Sequence, residues 1–299
     1  MRKPVIVGID PLRPDPAPMV VGVALARLTG APLVAAASYV QDTITDAMSG
    51  GIVDADLHAT ARSVLDDLTA GGLDAERVVV PGLSAAHALH DLAAERGAGL
   101  IVVGSSRRGR MGRIAPGTTA ERLLHGASCP VAVAPAGLAA GWLPRRVGVG
   151  YVGLEEGEHA LTAATALAKL AGGPLEAVTA VSPRAWERGA AVPAYGTGGL
   201  EVARERAATS LTRALEGAGR SATEGHVFIG EPVDALVALS ERTDVVVCGS
   251  RGYGPFRSVL LGGVGHGLLR EAHCPVVMIP RGEGGAIAAL AEAREAAPA

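Results

Sequence analysis

The sequence predicts an α/β protein of two tandem domains, each a doubly wound, five-stranded parallel sheet. Three observations carry that expectation. Sliding the chain of 299 residues against itself by 145 positions superimposes Gly104 on Gly249, Ser105 on Ser250, Gly109 on Gly254, Gly117 on Gly262, Leu123 on Leu268 and Cys129-Pro130-Val131 on Cys274-Pro275-Val276 without a gap, which marks a duplication. Within each copy, short β-rich runs alternate with longer stretches of helical period, and that alternation builds right-handed βαβ units. The composition, 48% hydrophobic and only 3% aromatic, leaves Ala, Val and Leu to fill the interior, as in a parallel sheet covered by helices.

The first half, 1–140, opens on an apolar strand at 5–9, followed by a helix at 16–29 that stops at Gly30. A strand at 33–38 leads to a helix at 55–70, whose stripe Leu57, Ala61, Val64, Leu65 and Leu68 has the spacing of one helical face, and Gly71-Gly72 ends it. A strand at 77–80, a helix at 84–96, a strand at 100–103, a helix at 118–126 and a strand at 131–134 complete the unit. The Pro/Gly segment "PAGLAAGWLP" leads into the second half, 145–281. There the counterpart stripe is Leu200, Ala203, Ala207, Leu211, Ala214 and Leu215, and the helix breaks fall at Gly172-Gly173 and 217–219. Earlier segments match with small offsets: "VGID" at 7–10 with "VGVG" at 147–150, which sets Gly150 where Asp10 stands, and "APLVAAAS" with "GPLEAVTA". Residues 282–299 form an Ala/Glu-rich tail, either a weak docking helix or a frayed terminus.

A formal charge of −3 and a pI near 6.2 supply no field for phosphate backbones or anionic lipid, so neither nucleic acid nor membrane is an expected partner. Cys129, Cys248 and Cys274 are odd in number and form no C-x-x-C pair, which fits buried thiols in a reducing compartment. "MRKPVIVGID" reaches Asp10 before a signal-peptide core forms, and the apolar stretch 130–144 is broken by Pro130, Pro135, Gly137, Gly141 and Pro144. The expected location is the cytoplasm.

The candidate site is the loop that follows the fourth strand of each half, "GSSRRGRMGRIAPGT" at 104–118 and "GSRGYGPFRSVLLGG" at 249–263. Ligands of open α/β sheets sit at the carboxyl ends of the strands. Glycines there let the backbone come close, so that successive N–H groups surround phosphate oxygens. The alternative is that the glycines only turn the chain from strand to helix. In the first loop Thr118-x-x-Glu121 has the form of a capping box, and a helix N-terminus is an anion site.

Gly249-x-x-Gly252, nine residues, then Gly262, after an apolar strand, resembles the universal stress protein family, whose ATP-binding members carry G-x-x-G, nine residues, then G-[S/T]. The resemblance covers essentially all of 1–281 and includes the Cys-Pro-Val step into the last strand of each half and Asp10 after the first strand. It implies two Rossmann-like domains paired through their last strands, 131–134 with 276–279, as an intramolecular pseudo-dimer about a pseudo-twofold. It also implies adenine nucleotide, ATP with or without Mg2+, in one subclass and no nucleotide in another. The nucleotide-binding set it marks is Asp10, Gly104, Ser105, Arg107, Gly117, Thr118 and Thr119 in the first half, and Gly249, Ser250, Gly252, Gly262 and Gly263 in the second.

Both copies depart from the pattern. Arg107 stands at the second glycine of the first loop. It either closes that pocket or, with Arg108, Arg110 and Arg113, clamps phosphate. In the second loop Gly263 replaces the hydroxyl residue, and no side chain caps the helix. Asp10 either accepts from a ribose hydroxyl or adenine amine or caps a turn before Pro11. The first half, which keeps both Asp10 and Thr118, is the better equipped. His87 and His90, three apart on one helix, lack a third ligand at metal spacing, so they read as exposed helix positions. His125 and His273 read as surface or packing residues, and Cys129 and Cys274 as small core hydrophobes.

No nucleophile with a positioned base and no G-x-x-x-x-G-K-[ST] loop occurs, so a dedicated enzyme is not expected, and ATP hydrolysis is slow or absent. The leading expectation is a nucleotide-responsive stress-response module whose surface is read by a protein partner. Against it stand a structural or interaction module with decayed pockets, and an adenylate-using enzyme, which would want an S-G-G-x-D-S-like loop where "DPLRPD" stands. A homodimer of the tandem chain is compatible with either binding-module reading.

Overall fold

The computed structural model describes residues 2–41, 48–49, 51–105, 118–183, 199–221, 224–250 and 262–280. Arg107, Arg108, Arg110, Arg113, Gly117, Gly252, the side chain of Thr118 and the tail 282–299 lie outside the described residues. The first half runs β1 (Val5–Ile9), α1 (Ala17–Thr29), β2 (Leu33–Val40), α2 (Ile52–Leu68), β3 (Glu76–Gly82), α3 (Ala85–Arg96), β4 (Leu100–Gly104), α4 (Thr118–Leu123) and β5 (Val131–Ala134). The second runs β6 (Val147–Gly150), α5 (Glu155–Ala171), β7 (Leu175–Val181), α6 (Gly199–Gly217), β8 (Gly225–Ile229), α7 (Pro232–Ser240), β9 (Val245–Gly249), α8 (Gly263–Glu271) and β10 (Val276–Ile279).

Local chemistry sets several of these bounds. Ser84 caps α3, its Oγ accepting from His87 N at 3.2 Å. Helices α1 and α5 end on twin glycines, Gly30 (φ 67°) and Gly172 (φ 62°), in the left-handed region where a Cβ is disfavoured.

The described strands form one ten-stranded sheet in the order β3-β2-β1-β4-β5-β10-β9-β6-β7-β8. Each half therefore repeats the doubly wound order 3-2-1-4-5. All neighbours are parallel except β5 and β10, which pair antiparallel with Ala132 opposite Val277. This is the last-strand pairing that the resemblance implied. The antiparallel seam points the carboxyl edges of the two halves in opposite directions, so each half builds its crevice from its own elements. Pro81, which cannot donate to a ladder, sits in edge strand β3.

One core, including Val5, Val7, Leu65, Leu161, Leu167 and Leu211, lies beneath α1, α2, α5 and α6. The other, including Ile6, Leu89, Ile101, Leu124, Leu239 and Leu269, lies beneath α3, α4, α7 and α8. Both contain residues of the two halves, so the hydrophobic layers continue across the seam. Of the two predicted stripes, Ala61 and Leu65 of α2 and Leu211 and Leu215 of α6 are fully buried.

The strand register corrects one sequence match. Val7 pairs with Val102, and Val149 pairs with Val247, which the 145-residue repeat equates with Val102. Likewise Val5 lies opposite Leu33 and Val147 opposite Leu175. Val149 is thus the counterpart of Val7, and Gly150 is the counterpart of Gly8 rather than of Asp10. Packing agrees: a Cβ on Gly8 would meet Leu89 Cδ1 at 2.5 Å and one on Gly150 would meet Leu236 Cδ2 at 2.7 Å. Both glycines let the third helix of their half approach the first strand. The residue at the Asp10 position is Val152.

Candidate functional site

In each half the strand order reverses between the first and fourth strands, β1 and β4 or β6 and β9, and the crevice opens outside their carboxyl ends. In the second half the described residues enclose a cavity of about 610 Å³ there, within the range of small-molecule sites. Gly150 and Cys248 of β6 and β9 contribute to its wall, with Val178, Thr179 and Ala180 from β7. Ala235 and Leu236 of α7 form another side, and the segment after β6 contributes Tyr151, Val152, Leu154, Glu155 and Glu156. Pro232, Gly249, Gly262, Val264, Gly265 and Met278 complete the lining among the described residues.

Two of the predicted glycines, Gly249 and Gly262, thus stand at this cavity. Gly249 ends β9, and a Cβ there would run into the carbonyl oxygen of Glu156. Its absence lets the first turn of α5 close on the strand end, a packing requirement independent of any ligand. Gly262 is the N-cap of α8, extended at φ −74°, ψ 170°, and no side chain caps the helix. Gly263 opens that helix with open space where a Cβ would stand. The first N–H groups of a helix have no partner within it, and their partial positive charge suits an anion.

Ser105 and Ser250 occupy twin positions but serve the backbone. Ser105 N donates to Ala134 O and Ser250 N to Ile279 O, both at 2.9 Å. Ser105 Oγ accepts from Ala136 N at 2.9 Å. Ser250 is fully buried, and its Oγ has no partner among the described residues.

At the first-half edge, Asp10 follows β1, exposed, with Oδ1 accepting from Leu12 N at 3.0 Å. That is the turn-capping geometry. Gly104 ends the neighbouring β4, where a Cβ would meet Pro18 Cγ at 3.1 Å. Thr119 lies half-buried in the first turn of α4, which begins at Thr118.

The cavity lining also includes residues that the loop motif does not point to: Tyr151, Leu236, Cys248, Glu155 and Glu156. Helix α5 begins four residues earlier than α1 relative to the aligned strands. The additional turn carries Glu155, Glu156 and Glu158. That acidic first turn is readable in the sequence and compatible with a helix N-terminus, but its proximity to the crevice follows only from the register. Tyr151, 6% exposed, donates its O–H to Glu158 Oε1 at 2.7 Å. Burial pushes its ionisation above the ordinary tyrosine range, and Glu158 adds to the effect against the hydrogen bond from Ser210. Burial pushes the Cys248 thiol up to about 12, so it presents a neutral S–H to the cavity.

The four histidines named from the sequence make local contacts. His90 Nε2 pairs with Gly126 O at 2.8 Å, tying α3 to the turn after α4, and His87 lies 3.3 Å from Asp91. His125 Nδ1 pairs with Glu121 O at 2.6 Å, and His273 N donates to Ser240 Oγ at 3.1 Å. No group of three or more metal-ligand side chains occurs among the described residues. Cys129, Cys248 and Cys274 are all buried, and none of them is in a disulfide. Among the described residues no helix is long and apolar enough to cross a membrane.

The family model for the universal stress protein family matches the chain twice, over residues 1–135 and 144–280. A universal stress protein of Mycobacterium tuberculosis is 43% identical over 63 residues, 21% of this chain and 20% of that protein, so the match spans about a fifth of the relative's length. A universal stress protein of Thermus aquaticus is 31% identical over 77 residues, covering 25% of this chain and 56% of the relative. Among solved structures, a putative universal stress protein from Pseudomonas aeruginosa shares the fold over 98% of both chains, with a TM-score of 0.67 at 17% identity. One from Archaeoglobus fulgidus does so over 93% of this chain and 98% of its own, with a TM-score of 0.62 at 20% identity. With one match in each half and a sheet that repeats the same strand order twice, the chain belongs to the universal stress protein family and carries its domain in tandem.

Proposed function

We propose that this chain is an adenine-nucleotide-binding regulatory module of the stress response, without a dedicated catalytic activity. The observation that carries the reading is the cavity of about 610 Å³ between Gly249 and Gly262, at the strand ends where ligands of such sheets sit. Those two glycines belong to the G-x-x-G, nine residues, G spacing of the nucleotide-binding family pattern, and the uncapped start of α8 opens beside them. ATP, with its magnesium, is the ligand assigned to Gly249, Ser250, Gly252, Gly262 and Gly263. The first-half crevice, with Asp10, Gly104, Ser105, Arg107, Gly117, Thr118 and Thr119, is a second site of the same kind. Occupancy alters a surface read by a protein partner in the cytoplasm.

The proposed absence of catalysis rests on the lack of a phosphate-loop lysine and of a base positioned on a nucleophile in the sequence. The alternative, a structural or interaction module without nucleotide, draws support from Val152, which offers no acceptor where the first half has Asp10. Heating the purified chain with and without magnesium-ATP separates the two readings. Ligand at about a hundredfold over its dissociation constant adds about 2.7 kcal/mol, a rise of roughly 5 °C in Tm for a chain of this size. No shift, together with no nucleotide released on denaturation, would establish the alternative.

A further inference from the structure

Helix α1 turns toward solvent a face more apolar than its place in the fold requires. The strand register equates Val7 with Val149, and the caps Gly30 and Gly172 keep the same spacing. Val20, Val23 and Arg27 of α1 are therefore the counterparts of Thr162, Thr165 and Lys169 of α5. The second half packs its helix on the same sheet with threonines where the first half has valines. Val20 and Val23 are half-buried, and they border a groove of about 310 Å³ whose lining also includes Met19, Leu68, Leu73 and Trp142. Trp142 comes from the segment between the halves and, with Val23, Leu68 and Leu73, packs against the core beneath α1 and α2. Arg27, exposed in the last turn of α1, is the one charged residue among the described lining. It makes no hydrogen bond or ion pair among the described residues. Beyond Arg27 the groove adjoins a depression that bears charges of both signs, Lys3 and Asp74 among them.

We propose that this groove is a binding site for a small amphipathic carboxylate, a free medium-chain acyl anion, separate from both nucleotide crevices and independent of them. The alkyl chain lies against Val20, Val23, Leu68, Leu73 and Trp142, and the carboxylate pairs with Arg27. A guanidinium suits that end of the ligand, because it offers a carboxylate two parallel N–H donors. The wall suits the other end, since it removes methylenes from water and would leave the polar groups of a peptide or a sugar without partners. A volume near the lower bound of small-molecule sites limits the ligand to a single short chain. Charge complementarity at Arg27 selects an anionic end over a neutral or cationic one.

Trp142 and Trp186 are the two tryptophans of the chain, so in a W186F background the emission of Trp142 reports on the groove. Hexanoate, octanoate and decanoate are titrated at pH 8, each below its micelle concentration, with octanol as the uncharged probe. The emission moves to the blue as the chain covers the indole, and affinity rises about two- to fourfold per methylene. R27Q weakens every carboxylate about two- to fivefold and leaves octanol unchanged. V20T/V23T, which installs the residues of α5, weakens octanoate and octanol alike by about fivefold. Arg27 is exposed, so R27Q keeps the fold even if the double variant does not. No saturable shift with any carboxylate overturns the inference, as does an affinity indifferent to chain length or to R27Q. A shift seen only after residues 281–299 are deleted also overturns it, because the chain's own tail then fills the groove.

Discussion

Gly150 lies so close to Leu236 that a Cβ on the glycine would stand 2.7 Å from Leu236 Cδ2, with Cys248 Sγ at 3.2 Å. The strand therefore accepts α7 only because it has no side chain there. Replacing Gly150 with Ala forces Leu236 off its rotamer and costs about 1–3 kcal/mol, as overpacking of a filled core does. Gly8→Ala, facing Leu89 at 2.5 Å in the other half, costs a similar amount. Urea denaturation of both variants checks this, and a free energy unchanged from wild type would contradict the twin packing.

Val152 stands at the Asp10 position, so the second crevice lacks the carboxylate that the first has. Val152→Asp supplies an acceptor for a ribose hydroxyl or adenine amine and strengthens magnesium-ATP binding by roughly three- to tenfold, the contribution of one hydrogen bond. Val152 is already 45% exposed, so the change leaves folding stability within about 0.5 kcal/mol of wild type. Calorimetric titration of the variant measures the gain.

Cys248 and Cys274 both have thiols that burial pushes up to about 12. In the unfolded chain they ionise near 9. Above that value the unfolded state releases protons that the folded state retains. Their contribution to stability is full below pH 9 and is lost as the pH rises toward 12, by up to about 1.4 kcal/mol per pH unit for each thiol. Denaturation under reducing conditions at pH 8, 9.5 and 10.5, compared with a C248A/C274A variant, reveals the difference: the wild type loses stability faster with pH. At pH 8 neither thiol of the folded chain reacts with a thiol reagent on the timescale of an exposed cysteine.

Val277 sits opposite Ala132 at the antiparallel seam and is 1% exposed. Val277→Asp buries a carboxylate without a partner, which costs several kcal/mol. Because both cores continue across this seam, the wild-type halves unfold together, and the variant lowers the midpoint of both. Calorimetry reads it as a single wild-type transition displaced downward, with no half left at the wild-type Tm.

The strands were legible because those of a parallel sheet, buried on both faces, appear as short apolar runs. The runs at 5–9 and 131–134 coincide with β1 and β5, and 100–103 falls one residue short of β4 at Gly104. Bounds set by tertiary packing were less visible: β2 extends past 38 to Val40, and α4 ends at Leu123, before a turn replaces the expected helix through 126. The Asp10 match failed because "VGID" and "VGVG" align by identity, whereas the sheet aligns Gly8 and Gly150 by the leucines that press on them. In the site, Gly249 and Gly262 were legible from loop spacing. Glu155, Glu156 and Leu236 were not, since their approach to the cavity depends on where α5 starts and how closely α7 packs.

A crystal structure of the chain grown with magnesium-ATP tests the central claim most directly. The account predicts an adenine nucleotide in the second-half cavity, its phosphates against the backbone between Gly249 and Gly262 and the start of α8. A cavity without nucleotide at saturating ligand, or one filled by the chain's own side chains, would contradict it.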